Sequence, residues 1–239
     1  MQSLKFLGRG GAFNEIDKNT SAYFIKDNIL FLIDCGETVF STLKANDKLN
    51  KLIENNNIKD IQIYITHLHA DHVGSLSTLI YYCYYCLGIK PKVYHPHRER
   101  GAYSYFLLHQ LLRIQGHDEE YEFITEPHEI IWAFECPHAA GLKSYHYIIN
   151  LNGKKIFYSG DCSSISHCVR HRFEKLEFDE IYLECSNKDN QVHLSFNYLD
   201  RILPKNPELR ERISLMHIDN EESFELAKKY GFKIVELDN

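Results

Sequence analysis

Residues 66–72, Thr-His-Leu-His-Ala-Asp-His, place three imidazoles and one carboxylate within six positions. The run before them, Ile-Gln-Ile-Tyr-Ile, is typical of a strand, so the side chains of His67 and His69 are expected to leave its end side by side. Asp71 and His72 would then lie in the turn toward a following helix. Imidazole and carboxylate ligands together suit zinc, iron or manganese. Because four adjacent ligands crowd one tetrahedral ion, the pattern favours two ions about 3.5–4 Å apart.

Two ions need more ligands, and three downstream residues have the expected context. His138 follows the apolar run IIWAFECP, and His217 follows ISLM. Asp161 follows KIFYSG, in which Gly160 gives the backbone freedom to turn. In each case an apolar strand is predicted to deliver one ligand at its end.

Length and composition limit the class of protein. The chain has 239 residues, 44% of them hydrophobic, which is enough for one large core or two small ones. No run of about eighteen apolar residues predicts a membrane span, and the N-terminal residues do not resemble a signal peptide. Seven cysteines, an odd number, favour a reduced, cytoplasmic setting over a disulfide framework. A formal net charge of −6 argues against a protein that binds bulk nucleic acid.

Strands and helices alternate along the chain. Strands are predicted at SLKFL, SAYFI, ILFLID, IQIYIT, PKVYHP, HEIIWAFEC, SYHYIINL, KKIFYSGD, DEIYLEC, ERISLMHI and FKIVEL. Asp27-Asn28 and Asn152-Gly153 predict tight hairpins between neighbouring strands. Helices are predicted over 37–55, 73–88, 103–115 and 220–230. Two strand-rich series with helices predict two packed sheets with helices outside, and the absence of a composition break predicts one domain over 1–239.

The order THLHADHVG, a single His, SGD and a final strand-end His resembles the metallo-β-lactamase superfamily. The opening FLGRGGAFNEIDKNTSAYFI and the later LFLIDCG are also similar, in particular to the branch that contains RNase Z and related phosphodiesterases. The resemblance covers nearly the whole chain. It implies an α/β fold, a four-layer αββα sandwich with a dinuclear metal site at one edge.

The resemblance also implies seven ligands for two divalent ions, with zinc expected first and Mn²⁺ or Fe²⁺ as alternatives. They are His67, His69 and His138 for the first ion, Asp71, His72 and His217 for the second, and Asp161 as the bridge. The ions would lower the pKa of a bridging water enough to supply hydroxide near neutral pH, which gives Asp71 a catalytic role through the metal. Asp34, at the end of LFLID, resembles an acid of the family that orients a ligand.

One later stretch bears on the substrate. YLECSNKDNQVHLSFNYLDRILP resembles the region of RNase Z-like phosphodiesterases where a Glu and a His form a pair beside the metals and the His protonates the leaving oxygen. Glu184 and His193 match by order and context. The long Gly/Pro-rich arm that grips tRNA in RNase Z has no counterpart, because residues 96–125 are aromatic and helical in pattern. This departure argues against structured tRNA and favours a cyclic nucleotide or a short oligonucleotide.

Alternatives remain at this point. β-Lactamases of the superfamily commonly carry another residue at the position of His72 and a Cys at that of Asp161, so the chain departs from them. Thioesterases and lactonases share the full ligand set, so hydrolysis of a lactone, thioester or carboxylic ester stays the alternative to a phosphodiester. A non-enzymatic binding protein is the third hypothesis, which the complete ligand set disfavours. Homodimers are common in the family.

Gly8, Gly10 and Gly11 are interpreted as a close-packed turn near the site, since no P-loop lysine follows.

Overall fold

The computed structural model describes residues 2–96 and 103–238 and contains two six-stranded sheets. The first sheet runs, in spatial order, through β1 (Lys5–Gly8), β2 (Ser21–Lys26), β3 (Ile29–Ile33), β4 (Asp60–Tyr64), β5 (Lys92–Tyr94) and β6 (Glu122–Ile124). The second sheet runs through β7 (Ile131–Cys136), β8 (Ser144–Leu151), β9 (Lys154–Tyr158), β10 (Glu180–Glu184), β11 (Ile213–Met216) and β12 (Lys233–Ile234).

Both sheets repeat one pattern of strand directions. The first three strands of each sheet are antiparallel neighbours, and the strands after them run parallel to the third. The carboxyl ends of β3, β4 and β5 therefore share one edge of the first sheet. In the second sheet β7 points the same way as β9, β10 and β11, because two successive antiparallel pairings restore its direction. Residues that follow these strands consequently meet at one edge.

The helices of the described chain lie outside the sheets. They are α1 (Val39–Lys44), α2 (Lys48–Asn56), α3 (Ala70–Val73), α4 (Leu76–Tyr81), α5 (Tyr103–Ile114), α6 (His167–Glu174), α7 (Phe196–Ile202), α8 (Pro207–Arg212) and α9 (Glu222–Tyr230). The prediction of a continuous helix over 37–55 is wrong, because a 3₁₀ turn at Ala45–Asp47 separates α1 from α2. Asn46 and Asp47 have left-handed backbone there, with φ of 52° and 59°. α4 continues into a π turn at Tyr82–Cys86, within the predicted helix 73–88.

Successive side chains of each strand point to opposite faces of the sheet, and the buried residues therefore form three hydrophobic clusters. In β4 Ile61 and Ile63 pack with the helices outside the first sheet, whereas Tyr64 faces the second sheet. A tyrosine- and phenylalanine-rich layer fills the space between the sheets, and a third cluster lies under the helices of the second sheet. Each large apolar side chain buried in this way contributes about 1.5–3 kcal/mol. The four-layer αββα arrangement predicted from the resemblance is confirmed.

The hairpin predictions are also confirmed, and the physical reason is the left-handed backbone of both central residues. Asp27 and Asn28 have φ of 52° and 61°, and Asn152 and Gly153 have φ of 51° and 81°. Type I′ turns require positive φ at both central positions, which Asn, Asp and Gly adopt most readily. The edge strand β6 was not predicted. The described part of the chain contains no helix with the length and apolar character that crossing a membrane requires.

Candidate metal centre

Four strands of the two sheets deliver polar residues to the shared edge. His67 follows β4, His138 follows β7, Asp161 follows β9 and His217 follows β11. Gly160, just before Asp161, has φ of 55°, and a side chain there would come within 2.7 Å of the Tyr145 carbonyl oxygen. The strand therefore turns sharply because glycine allows both the backbone angle and the close approach.

The rest of the histidine-rich stretch forms the start of a short helix. His69 is the N-cap of α3, with an extended backbone (φ −67°, ψ 153°), and Asp71 and His72 lie in the first turn. A carboxylate in the first turn interacts favourably with the positive end of the helix. The His72 carbonyl oxygen accepts a hydrogen bond from the Cys35 N–H at 2.7 Å, which ties the helix to the loop after β3.

One group of potential ligands gathers around His69. The distance from His69 Nδ1 to His67 Nε2 is 3.0 Å, and that to His138 Nε2 is 3.3 Å. Asp161 Oδ2 lies 3.7 Å from His67 Nε2 and 3.9 Å from His138 Nε2. These four residues offer ligand atoms that all lie within 4.8 Å of one another, close enough to hold one ion.

A second group shares Asp161 with the first. His217 Nε2 lies 3.1 Å from Asp71 Oδ2 and 3.2 Å from Asp161 Oδ2. His72 Nε2 lies 3.4 Å from Asp71 Oδ2 and 3.4 Å from Asp161 Oδ1. The structure therefore brings all seven sequence-predicted residues together, and Asp161 stands between the two groups, where a bridging carboxylate is expected.

Two buried atoms indicate that the cluster fits metal ions. Within the described residues, His72 Nε2 and Asp161 Oδ2 are buried without a hydrogen-bond partner. Leaving such atoms unpaired costs free energy, so their retention needs an explanation. His72 Nδ1 donates to Asp34 Oδ2 at 2.8 Å, which leaves the Nε2 lone pair directed at the cluster. Imidazole nitrogens and carboxylates in this number suit divalent transition ions.

The pKa shifts of the cluster residues also bear on whether the cluster can bind metal ions. Burial holds the pKa of His67 well below its ordinary value, and the charge of nearby His72 acts in the same direction. Burial likewise lowers the pKa of His69. Burial alone would raise the pKa of Asp161, but His217 and His72 outweigh it and hold the pKa well below its ordinary value. Burial thus favours neutral imidazoles at His67 and His69. Burial also opposes the charged form of His72 and His217, but Asp161 with Asp34 or Asp71 outweighs it and raises the pKa of both imidazoles, so a bound cation would have to displace their protons.

Side chains behind the cluster hold the potential ligands in place. Asp34 is buried at the end of β3 and accepts hydrogen bonds from the Thr66 N–H at 2.7 Å, the Thr66 hydroxyl at 2.8 Å and His72. His138 Nδ1 donates to the Val192 carbonyl oxygen at 2.7 Å. Asp34 lies where the sequence predicted an orienting acid. Sequence reasoning missed Thr66, although its position directly before His67 was a usable signal.

Glu184 and His193 lie beside the cluster. Glu184 is the buried last residue of β10, and His193 belongs to the loop before α7, with its side chain 23% exposed. His193 Nδ1 is 3.2 Å from Glu184 Oε1 and 3.8 Å from Asp161 Oδ2. Burial lowers the pKa of His193, but the hydrogen bond to Glu184 and its charge outweigh this and raise the pKa to about 9. The pair predicted from the sequence is thus formed.

The fold and the cluster define a metal-dependent hydrolase of the metallo-β-lactamase fold. The chain is similar to the metallo-β-lactamase fold protein YhfI from Bacillus subtilis, with a TM-score of 0.69, 15% identity and coverage of 99% of this chain and 95% of that one. It is similar to a diphosphatase of the PhnP family, with a TM-score of 0.68, 17% identity and coverage of 99% and 95%. It is also similar to the short form of human tRNase Z, with a TM-score of 0.65, 17% identity and coverage of 98% and 96%.

A sequence comparison places the chain more narrowly. The family described as anti-Pycsar protein Apyc1 matches residues 2–236, and the chain belongs to this family. It is 29% identical to the anti-Pycsar protein Apyc1 of Paenibacillus sp. (strain J14) over 241 residues, which cover 92% of this chain and 91% of that protein. It is 24% identical to the Apyc1 of Bacillus phage BSP38 over 246 residues, with coverage of 92% and 91%.

Proposed function

We propose that this protein is a phosphodiesterase that hydrolyses a small nucleotide, with a cyclic nucleotide as the preferred substrate class. The proposal assigns the ligands as the sequence predicted them: His67, His69 and His138 for one ion, Asp71, His72 and His217 for the other, and Asp161 for both. Two divalent ions, when bound, activate a water and neutralise the charge that develops on the phosphoryl group. Zinc is proposed as the native metal, with manganese and iron as alternatives.

The observation that carries the proposal is the pairing of His193 with Glu184 next to Asp161. His193 Nδ1 is engaged with the buried carboxylate at 3.2 Å, so Nε2 is the nitrogen free to serve a substrate. A pKa of about 9 keeps the imidazole protonated near neutral pH. An alkoxide leaving group of a phosphodiester needs such an acid, whereas a lactone depends much less on one. Glu184 holds the ring and stabilises its positive charge.

The choice of a small substrate rests on two further supports. The sequence lacks a long Gly/Pro-rich insertion of the kind that grips tRNA in RNase Z. Part of the stretch 96–125, at 97–102, lies outside the described residues, and the predicted helix 103–115 corresponds to α5. Membership in the anti-Pycsar family agrees with a cyclic nucleotide as substrate. One domain over 1–239, a cytoplasmic location and a homodimer stay predictions.

A substrate panel tests the proposal. The purified protein, loaded in turn with zinc, manganese and iron, is assayed on 3′,5′-cyclic nucleotides, a short oligonucleotide, a lactone and a thioester. We expect turnover of the cyclic nucleotides to exceed that of the lactone and thioester with at least one metal. Faster turnover of the lactone or thioester would establish the alternative function, and protein without bound metal that still hydrolyses phosphodiesters would contradict the proposed ligand roles.

A further inference from the structure

The loop over residues 11–17, which we call the rim loop, reverses the usual distribution of polar and apolar side chains. Asn14 and Asp17 are buried, with 7% and 5% of their surfaces exposed. Phe13 is 99% exposed and Ile16 is 75% exposed. Large apolar side chains are usually buried, and Asn and Asp are usually exposed. The exposure of Phe13 and Ile16 therefore lowers the stability of the folded protein.

The buried polar residues give the rim loop a defined shape. The Asn14 N–H donates to the Gly11 carbonyl oxygen at 3.1 Å, which places Phe13 in the tip of a tight turn. The Asp17 N–H donates to Asn14 Oδ1 at 3.0 Å, which closes a second turn with Ile16 in it. Arg9 Nε binds Asp17 Oδ1 at 2.8 Å. These hydrogen bonds order the backbone of the loop at the positions from which Phe13 and Ile16 extend into solvent.

The rim loop is attached directly beside the metal cluster. The Gly11 N–H and Asn14 Nδ2 both donate to the carbonyl oxygen of Ile218, at 2.9 and 3.1 Å, and Ile218 follows His217. A side chain at Gly11 would come within 3.1 Å of the His217 imidazole. Phe13 is two residues further on, so its Cα lies at most about 7.6 Å from that of Gly11. Phe13 is therefore part of the surface close to the cluster.

The surface next to Phe13 carries negative charge. A groove of about 540 Å³ runs between the rim loop and residues 219–222 and is lined by Phe13, Ile16 and several carboxylates, among them Glu15, Asp219 and Glu222. Carboxylates accept hydrogen bonds from the amino groups of a base and repel a second phosphate. The groove is thus suited to an uncharged aromatic base and unsuited to the next phosphate of an oligonucleotide.

We propose that Phe13, supported by Ile16, is the surface on which the nucleobase of a cyclic mononucleotide stacks during hydrolysis. The inference rests on the proposed phosphodiesterase function and narrows its substrate to a single nucleotide with one phosphate. Stacking on an aromatic ring contributes to binding of the base in both the ground state and the transition state, so it acts on KM and leaves kcat unchanged. Because hydrogen bonds already order the backbone that carries Phe13, the loop itself loses little conformational entropy when a base binds.

Steady-state kinetics on matched substrates test the role of Phe13. Phe13→Ala should raise KM for a 3′,5′-cyclic nucleotide by about tenfold or more without a change in kcat, as expected for loss of one stacking contact. Phe13→Trp should keep the wild-type KM. On ribose 3′,5′-cyclic phosphate without a base, Phe13→Ala and the wild type should be equal. The matched control is Trp132→Ala, which removes a 47% exposed aromatic side chain near the start of β7, the end away from the cluster.

The outcomes separate this inference from the proposed function. An active Phe13→Ala variant with unchanged KM for the cyclic nucleotide overturns the role of Phe13 alone. A changed sedimentation coefficient with unchanged KM also overturns it and assigns the rim loop to a subunit interface. A wild-type protein without turnover of any cyclic nucleotide contradicts the proposed function. In that case calorimetry with a cyclic phosphorothioate decides: affinity about tenfold weaker in Phe13→Ala supports stacking, and equal affinity overturns it.

Discussion

Glu184 Oε1 receives the His193 Nδ1–H at 3.2 Å and, at the same time, the backbone N–H of Cys162 at 3.0 Å. Cys162 directly follows Asp161, so one buried carboxylate oxygen sets the position of the imidazole and of the chain that carries the shared cluster carboxylate. The Leu194 N–H donates to the same oxygen at 3.1 Å and fixes the loop on the other side of His193. Glu184 therefore fixes the position of His193 relative to the chain that carries Asp161.

The first prediction concerns proton donation by His193. His193→Ala should lower turnover of an alkyl phosphodiester by about 10²–10⁴-fold, the usual contribution of a general acid. A nitrophenyl diester should lose far less, because its leaving group departs without protonation. Rates on the two substrates and metal content by elemental analysis check this. Equal losses on both substrates, or loss of metal, would mean that His193 has another role.

The second prediction concerns pH. Only the protonated imidazole can donate, so kcat for an alkyl diester should fall as pH rises through the pKa of His193, about 9 in the metal-free protein and lower beside bound cations. Glu184→Gln removes the negative charge that raises this pKa, so the alkaline limb should move to lower pH. The readout is the difference between the two pH–rate profiles. Glu180→Gln, at the opposite end of β10, is the control and should leave the limb in place.

The third prediction concerns metal content. Wild-type protein should bind two divalent ions per chain, and Asp161→Ala should lose at least one, because Asp161 contacts both ligand groups. Elemental analysis after dialysis against a known metal concentration measures this. Asp118→Ala removes an exposed carboxylate in the turn after α5 and should keep both ions. Two ions retained by Asp161→Ala would show that this carboxylate is not the bridge.

The fourth prediction concerns the stability of the site. Asp34→Ala leaves His72 and both donors of Thr66 without their buried acceptor, so unfolding free energy should fall by about 3–5 kcal/mol. Asp34→Asn keeps one oxygen acceptor and tolerates the left-handed backbone at φ 61°, so it should lose less. Urea unfolding monitored by circular dichroism compares the two. A loss of less than about 1 kcal/mol in Asp34→Ala would contradict the structural role.

Some features of the architecture could be predicted from the sequence because the local geometry of the chain determines them. His67 and His69 come together because they leave one strand end, and His72 follows within a single helical turn. The hairpins at Asp27-Asn28 and Asn152-Gly153 formed as predicted because both central residues accept positive φ. The order of the strand-end ligands resembled that of the metallo-β-lactamase superfamily, and this resemblance implied the αββα sandwich that the structure shows.

Other features depended on contacts that no short stretch encodes. His217 meets Asp71 across 146 positions only because β11 and β4 end at the same edge of two packed sheets. The helical pattern of 37–55 did not reveal the break at Asn46 and Asp47. The spacing of hydrophobic residues does not indicate where the backbone adopts a left-handed turn between two helices. Phe13 and Ile16 have the composition of core residues, yet they are exposed. Their position is decided by Asn14 and Asp17, which are buried and hydrogen-bonded in a loop that is anchored to Ile218, two residues after the end of β11.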